Sequence, residues 1–325
     1  MNRRTFQIAG LVLAASLAFP ALAEPMKLTL GHGAAPSNPR NEAAVKFAEI
    51  VKAKTGGRIE IQVAHSAQLG DDAAMVTALR SGTLDMSANS QGAMAAVVPE
   101  YNALGLPFLF SDIKQAWQLL DGPVGKELAK RTAAKGMVVL GYWDNGIRHV
   151  SNSKRPIKAP ADLKGLKIRT PPDAMTVDIM QALGADAQQI KFSELYVALQ
   201  QGVVDGQENP LANIHASKLY EVQKYLSLTG HKYESTPFLI SKRTWDRLSA
   251  ADQKLFLAAA AEATQLQRKL SKEADDKLVG ELKAKGVQVE TVNRKPFVDA
   301  TRSVYSKWSE GNSGGFVKQV IQAAR

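Results

Sequence analysis

From Met26 onward the chain alternates short apolar strand patterns with amphipathic helix patterns, and that alternation restricts the fold more than any other feature. "MKLTLGH" reads as a strand, "PRNEAAVKFAEIVKAKTGG" as a helix ending at paired glycines, and "RIEIQVAH" as a second strand with alternating faces. "DDAAMVTALRSG" then supplies a helix and "LDMSAN" a strand. Strands alternating with helices predict an α/β fold with a mainly parallel, doubly wound sheet, whose ligands sit beyond the C-terminal strand ends. The loops "GHGAAPSN", "AQLGDD" and "ANSQG" are therefore the ones to search for a site. A second alternating block follows "GMVVLGYW": strands "GIRHVSN" and "LKIRT", helices "AMTVDIMQALG" and "FSELYVALQQG", then "VVDGQENP". Two such blocks predict two lobes with a cleft between them. From Ala250 to Lys285 the pattern is helical with no proline and one glycine, long enough to brace both lobes.

The first 23 residues carry Arg3 and Arg4, an apolar run too short to span a bilayer, and Ala21-Leu22-Ala23 as a cleavage signal. They read as an export leader of the Sec or twin-arginine type, which places the mature chain, from Glu24, in the periplasm. No later segment approaches ~18 consecutive apolar residues, so stable membrane insertion is not expected. An exported chain has access to disulfides, yet this one has no cysteine. Roughly 300 residues can bury a core that holds without such staples, and a monomer is the default expectation. The formal charge of +10 favours anionic partners. Its Lys and Arg residues are dispersed at helix-surface spacing, as in "DDKLVGELKAKG", rather than clustered with aromatics, which argues against nucleic acid.

Several motifs fail on their context. "GHGAAP" has Pro36 where a dinucleotide loop needs its third glycine. "GNSGG" fits a nucleophile elbow but follows a helical stretch and precedes "FVKQVIQAAR", which holds neither Asp nor His, so it reads as a helix-to-helix turn. The five histidines, His32, His65, His149, His215 and His231, are scattered and have no cysteine to complete a zinc set; no metal and no cofactor is expected. In "GDD", Asp71 and Asp72 open a helix, where acids cap the end and complement its dipole; one of them alternatively accepts a hydrogen bond from a ligand hydroxyl.

Two arginines carry a stronger signal. Arg148 in "DNGIRHVSN" and Arg169 in "GLKIRTPP" sit in apolar strand context, where a charge is costly unless paired. Each is either an internal salt bridge or a fork for a ligand carboxylate, which guanidinium matches with two parallel hydrogen bonds. "VVDGQENPLANI" places Asp205, Gln207, Glu208 and Asn209 in one short polar loop that either satisfies itself or supplies a hinge or ligand contacts.

With "QLGDD", "NGIRHVSNSKRPI", "DLKGLKIRTPP", "FSELYVALQQGVVDGQENPLANI" and "LYEVQKYL" in order, the mature chain strongly resembles the solute-binding proteins of tripartite ATP-independent periplasmic (TRAP) transporters, the DctP family. The resemblance implies a two-lobed periplasmic binding protein of type II-like form, each lobe a mixed sheet flanked by helices, with a long helix spanning both. It implies one lobe of residues 24–147 plus about 236–275 and a second of 148–235 plus about 276–325. It implies a ligand carboxylate held chiefly by Arg169, with Arg148 and Asn209 completing the anchor and Phe192 walling the site. Asp72, Asn89 and Ser90 are further contacts in some members, and His32, Trp143 and Tyr233 are plausible selectors. Where sialic-acid binders present Asn after the first strand this chain has Gly33, which points away from that ligand. The expected ligand is a hexuronate or other sugar acid, with a C4-dicarboxylate or an aromatic or hydroxy acid as alternative. The implied role is delivery to a TRAP membrane permease without catalysis; a ligand sensor is the competing class.

Overall fold

The expected strand "GIRHVSN" and the "MVVLGYW" stretch before it form one continuous strand. In the computed structural model, which describes residues 24–324, it runs from Met137 to Asn152. Gly146 explains why the chain bulges there rather than breaking. Its φ of +117° lies where other residues are strained, and the register with the neighbouring strand shifts between Asp144 and Gly146 before pairing resumes. The partner is a strand of similar length, Tyr225–Ser241, which the sequence pattern does not announce. It is buried on both faces along most of its length, so the polar run "HKYEST" shows no alternation.

Numbered in chain order, the strands are β1 (Met26–Gly31), β2 (Ile59–Ala64), β3 (Met86–Ala88), β4 (Met137–Asn152), β5 (Lys167–Thr170), β6 (Asp186–Gln189), β7 (Gly206–Pro210), β8 (Tyr225–Ser241) and β9 (Gln288–Glu290). They join in the order β2-β1-β3-β8-β4-β7-β5-β6, with β9 on β8. The outer ladders β1/β2, β1/β3, β5/β6, β5/β7 and β8/β9 are parallel, whereas β3/β8, β4/β8 and β4/β7 are antiparallel. The sheet is therefore mixed, with parallel wings on an antiparallel spine. One wing joins the spine at Phe238–Ile240 and the other at Arg148–Asn152, so the two lobes share β4 and β8. "GQENP", expected as a loop, is itself the strand β7, held between β4 and β5.

The helix Ala250–Ala284 has Ser249 as its N-cap and is 35 residues long, which is about 52 Å. It packs against helix Pro39–Lys54 in the first lobe and helix Leu211–Ala216 in the second. Phe47, Trp143, Phe238 and Phe256 form the core beneath its first half, and Leu195, Leu199, Leu278 and Leu282 the core beneath its second. The C-terminal segment departs from the division drawn on sequence. Helix Arg302–Glu310 meets the second lobe through Trp308 Nε1 and Lys307 Nζ on Asp178. Helix Gly314–Ala323, assigned with it, packs against the turn Pro99–Gly105 of the first lobe, with the Arg131 guanidinium 5.2 Å from the Phe316 ring centroid. "GNSGG" is the turn between these two helices.

Trp143 is a core residue, which corrects its expected place among the ligand selectors. It is fully buried, stacks on Phe238 with ring centroids 4.4 Å apart, and donates from Nε1 to Thr264 Oγ1 at 3.1 Å. Tyr233 is corrected for a related reason. Alternation along β8 places it opposite Glu234, with its ring edge-on to Phe110 at 5.3 Å. Trp143→Ala is expected to cost about 3–5 kcal/mol in chemical denaturation. Trp143→Phe is expected to lower the melting temperature while leaving the order of ligand preferences unchanged in calorimetry.

Candidate functional site

A cavity of about 430 Å³, counted out to its open mouth, lies between the lobes. It is lined by Gly33 and Ala34 after β1, by Asp72 and Ser90, by Arg169 of β5 and Pro171 just after it, and by Phe192. Its floor is Asn145 and Arg148 of β4, Asn209 at the end of β7, Glu234 of β8, and Asn213, with Arg40 from the helix after β1. A more apolar hollow adjoins it, sharing Arg169, Asp72 and Phe192 and adding Ala67, Ala93 and Pro172.

The two expected arginines differ in their partners. Arg148 is paired: Nε donates to Glu208 Oε2 at 2.5 Å, Nη2 to Glu208 Oε1 at 2.7 Å, and Nη1 to Glu234 Oε2. It takes the internal salt bridge rather than the open fork. Burial alone would raise the Glu208 carboxyl, but Arg148 and His231 outweigh it and hold the pKa at about 2. Arg169 is 1% exposed, and its Nε donates to the Ile190 carbonyl at 2.7 Å. Among the described residues no carboxylate lies within ion-pair distance of it, and its guanidinium stands 5.8 Å from the Phe192 ring centroid. Burial draws its pKa down to about 10, against the opposing field of Glu208, so it remains a cation at neutral pH.

The two acids of "GDD" have separate tasks. Asp71 caps helix Asp72–Ser81, accepting from Ala74 N at 3.0 Å, and meets Lys191 Nζ at 3.0 Å across the mouth of the cleft. Asp72 lines the cavity and accepts from Ser90 N at 2.9 Å. A β-carbon at Gly33 would come within 3.2 Å of Asp72 Oδ1, so a glycine there leaves the carboxylate open to the cavity. A chain of amides runs along the cavity floor, and its first link joins the two lobes. Asn38 Nδ2 donates to Asn213 Oδ1 at 3.0 Å, Asn213 Nδ2 to Asn209 Oδ1 at 3.1 Å, and Asn145 Nδ2 to Glu234 Oε2 at 3.1 Å.

Arg169, Arg148, Asn209, Asp72, Phe192 and Ser90 thus come together around one cavity. His32 and Asn89 do not line it, correcting their expected contact. Asn89 lies buried behind Asp72 and donates to Ser87 Oγ at 3.0 Å. His32 is buried, and its Nδ1 accepts from Ala34 N at 3.2 Å. Arg40, Asn145, Asn213 and Glu234 were not anticipated. For Arg40 a signal existed: it follows Asn38 and Pro39, a helix start, where a cation opposes the helix dipole.

The fold and cavity match known proteins. The model of the bacterial extracellular solute-binding protein family 7, DctP, matches residues 30–311. This chain belongs to that family. A Sinorhizobium fredii protein of undescribed role is 57% identical over 94% of this chain, which spans only 57% of that relative's length. The 2,3-diketo-L-gulonate-binding periplasmic protein of Escherichia coli is 38% identical over 84% of each chain. The sugar acid binding protein of Advenella mimigardefordensis, solved with galactonate, is 34% identical with a TM-score of 0.90, covering 92% of this chain and 98% of its own. The family is that of TRAP solute-binding proteins, periplasmic components of transport rather than enzymes. Among the described residues no helix is long and apolar enough to cross a membrane; the expected export leader lies outside them.

Two predictions follow from these charges. Burial lowers His32 and His149 to about 3, whereas an unfolded histidine titrates near 6.5, so the unfolded state binds more protons between those values. The stability they contribute is complete above about pH 6.5 and falls as pH drops toward 3, by about 1.4 kcal/mol per pH unit for each. Urea titrations from pH 7 to 4 are expected to show this slope, and His149→Gln to flatten it. The exposed Lys191 contact with Asp71 is screened by salt. Lys191→Met is expected to speed ligand release a few-fold in stopped-flow at low salt without changing the ligand-free melting temperature.

Proposed function

We propose that this protein captures a polyhydroxylated monocarboxylate, a hexuronate or another sugar acid, and presents it in the closed state to a TRAP membrane permease. The observation that carries the reading is Arg169: a buried guanidinium on the cavity wall without an internal carboxylate partner. A ligand carboxylate supplies the missing counter-charge, and the planar fork favours a bidentate contact that lysine cannot reproduce. Each charge-assisted hydrogen bond contributes about 1.5–3 kcal/mol. Two of them with hydroxyl contacts are sufficient for micromolar binding, about −8 kcal/mol. Asn209 completes the anchor, Arg148 being committed to Glu208 and Glu234 behind it, and Phe192 excludes water from its edge, which strengthens the pair.

The relatives' ligands support the same class, since 2,3-diketo-L-gulonate and galactonate are both sugar acids. A C4-dicarboxylate is the second reading, since Arg40 is a second cavity arginine without a carboxylate partner, but Asp72 and Glu234 line the cavity beside it and oppose a second carboxylate there.

A thermal-shift panel of hexuronates, aldonates, C4-dicarboxylates, aromatic acids and neutral sugars tests the proposal. A ligand at a hundredfold excess over its Kd stabilises the native state by about 2.7 kcal/mol. Sugar acids are expected to raise the melting temperature and the matching neutral sugars to leave it unchanged. Arg169→Lys is expected to abolish the shift while the ligand-free protein melts as before. Stabilisation by neutral sugars alone would remove the carboxylate clamp.

A further inference from the structure

Arg40 is held where folding alone disfavours it. It occupies the second position of a sixteen-residue helix, at the end the peptide dipoles make positive, and it is 5% exposed. Its Nη2 donates to Asn145 Oδ1 at 2.8 Å and its Nη1 reaches the Ala88 carbonyl at 3.4 Å. Its Nε has no partner, and none of the ion pairs among the described residues involves it. Burial lowers its pKa, and only the more distant fields of Asp72 and Glu234 oppose that. A buried cation supplied with neutral acceptors and an idle N–H is a cost to stability. Its place on the cavity wall, on the first lobe where Arg169 belongs to the second, gives it a use.

We propose that Arg40 reads the hydroxylated end of the ligand and makes the site select polyhydroxy monocarboxylates over dicarboxylates. This rests on the reading that Arg169 holds the carboxylate. Asp72 and Glu234, the acids whose fields act on Arg40, line the same cavity, and Glu234 Oε1 accepts no hydrogen bond, its nearest cation being Lys232 Nζ at 3.9 Å. A second ligand carboxylate placed at Arg40 meets these two acids, and it has no proton to give them. A hydroxyl accepts from the guanidinium and donates to a carboxylate with the same oxygen. Donor-only Arg40 beside acceptor-only Asp72 and Glu234 therefore matches a row of adjacent hydroxyls, whereas a methylene chain offers nothing to the Arg40 Nε–H or to Glu234 Oε1, which have no hydrogen-bond partner. Sites built to hydrogen-bond a hydroxyl reject analogues that lack it far more strongly than apolar pockets reject a missing methylene.

Calorimetry with galactonate, galacturonate, erythronate and succinate on the wild type, Arg40→Met, Arg40→Lys and Arg169→Lys tests the inference. The wild type is expected to bind a sugar acid at least ~100-fold more tightly than succinate. Arg40→Met is expected to weaken that sugar acid by ~30-fold or more and to narrow its advantage over succinate to about tenfold or less, as loss of charge-assisted hydrogen bonds dictates. Arg40→Lys is expected to retain only part of the selectivity, because the fork is lost. The ligand-free Arg40→Met protein is expected to melt no lower than the wild type. A lower melting temperature marks Arg40 as a folding residue and overturns the proposal. Unchanged sugar-acid affinity in Arg40→Met, with binding lost in Arg169→Lys, overturns it while leaving the carboxylate clamp intact. Succinate as the tightest ligand, weakened by Arg40→Met, makes Arg40 a second carboxylate clamp instead. Full affinity in Arg169→Lys, or no acid bound by the wild type, overturns the parent reading and this one together.

Discussion

Arg148, shared between Glu208 and Glu234, is the contact on which the rest of the site depends. It ties β4 to β7 and β8 at the point where the two lobes meet. Removing Arg148 from this buried set leaves its carboxylates uncompensated, at about 3–5 kcal/mol. The set also holds one guanidinium against two carboxylates. The surplus negative field opposes the desolvation of Arg169 and helps keep it charged without touching it. Acids committed to one arginine thereby keep another ready for a ligand. A direct partner for Arg169 would hold its charge better and occupy the fork that the ligand needs.

How much of this was legible in the sequence varies with the physics of each part. The long helix was readable to within a residue because nothing between Ser249 and Lys285 interrupts the helical pattern. The wings were readable because their strands alternate with helices, as in "MKLTLGH" and "RIEIQVAH". The spine was not. β8 is buried on both faces, and Gly146 in β4 looks like a stop when it is a bulge. "GQENP" has the composition of a loop, yet the partners of Glu208 and Gln207 come from distant strands and make it a strand.

The same reasoning divides the site residues. Arg169 stood out because a charge in "LKIRT" needs an explanation that local sequence cannot supply. Trp143 and Tyr233 were drawn in by nearness to Arg148 along the chain or by type, but pleat and bulge decide which face a strand residue takes. His32 and Asn89 lie in the right loops and turn inward from them. Arg40 sits just past the loop "GHGAAPSN", on the first turn of a helix, and only the fold brings it beside Asn145.

The lobes are joined by strands that pass through both of them without interruption. A loop hinge would let each lobe swivel freely and lose track of the other. Two antiparallel strands paired along their length bend readily across the sheet but resist sliding and shear. The closure proposed above would then follow something close to a single arc, and a bend made at the cavity floor would be felt at the far ends of both wings. A surface there can report whether the cavity is filled without any residue touching the ligand.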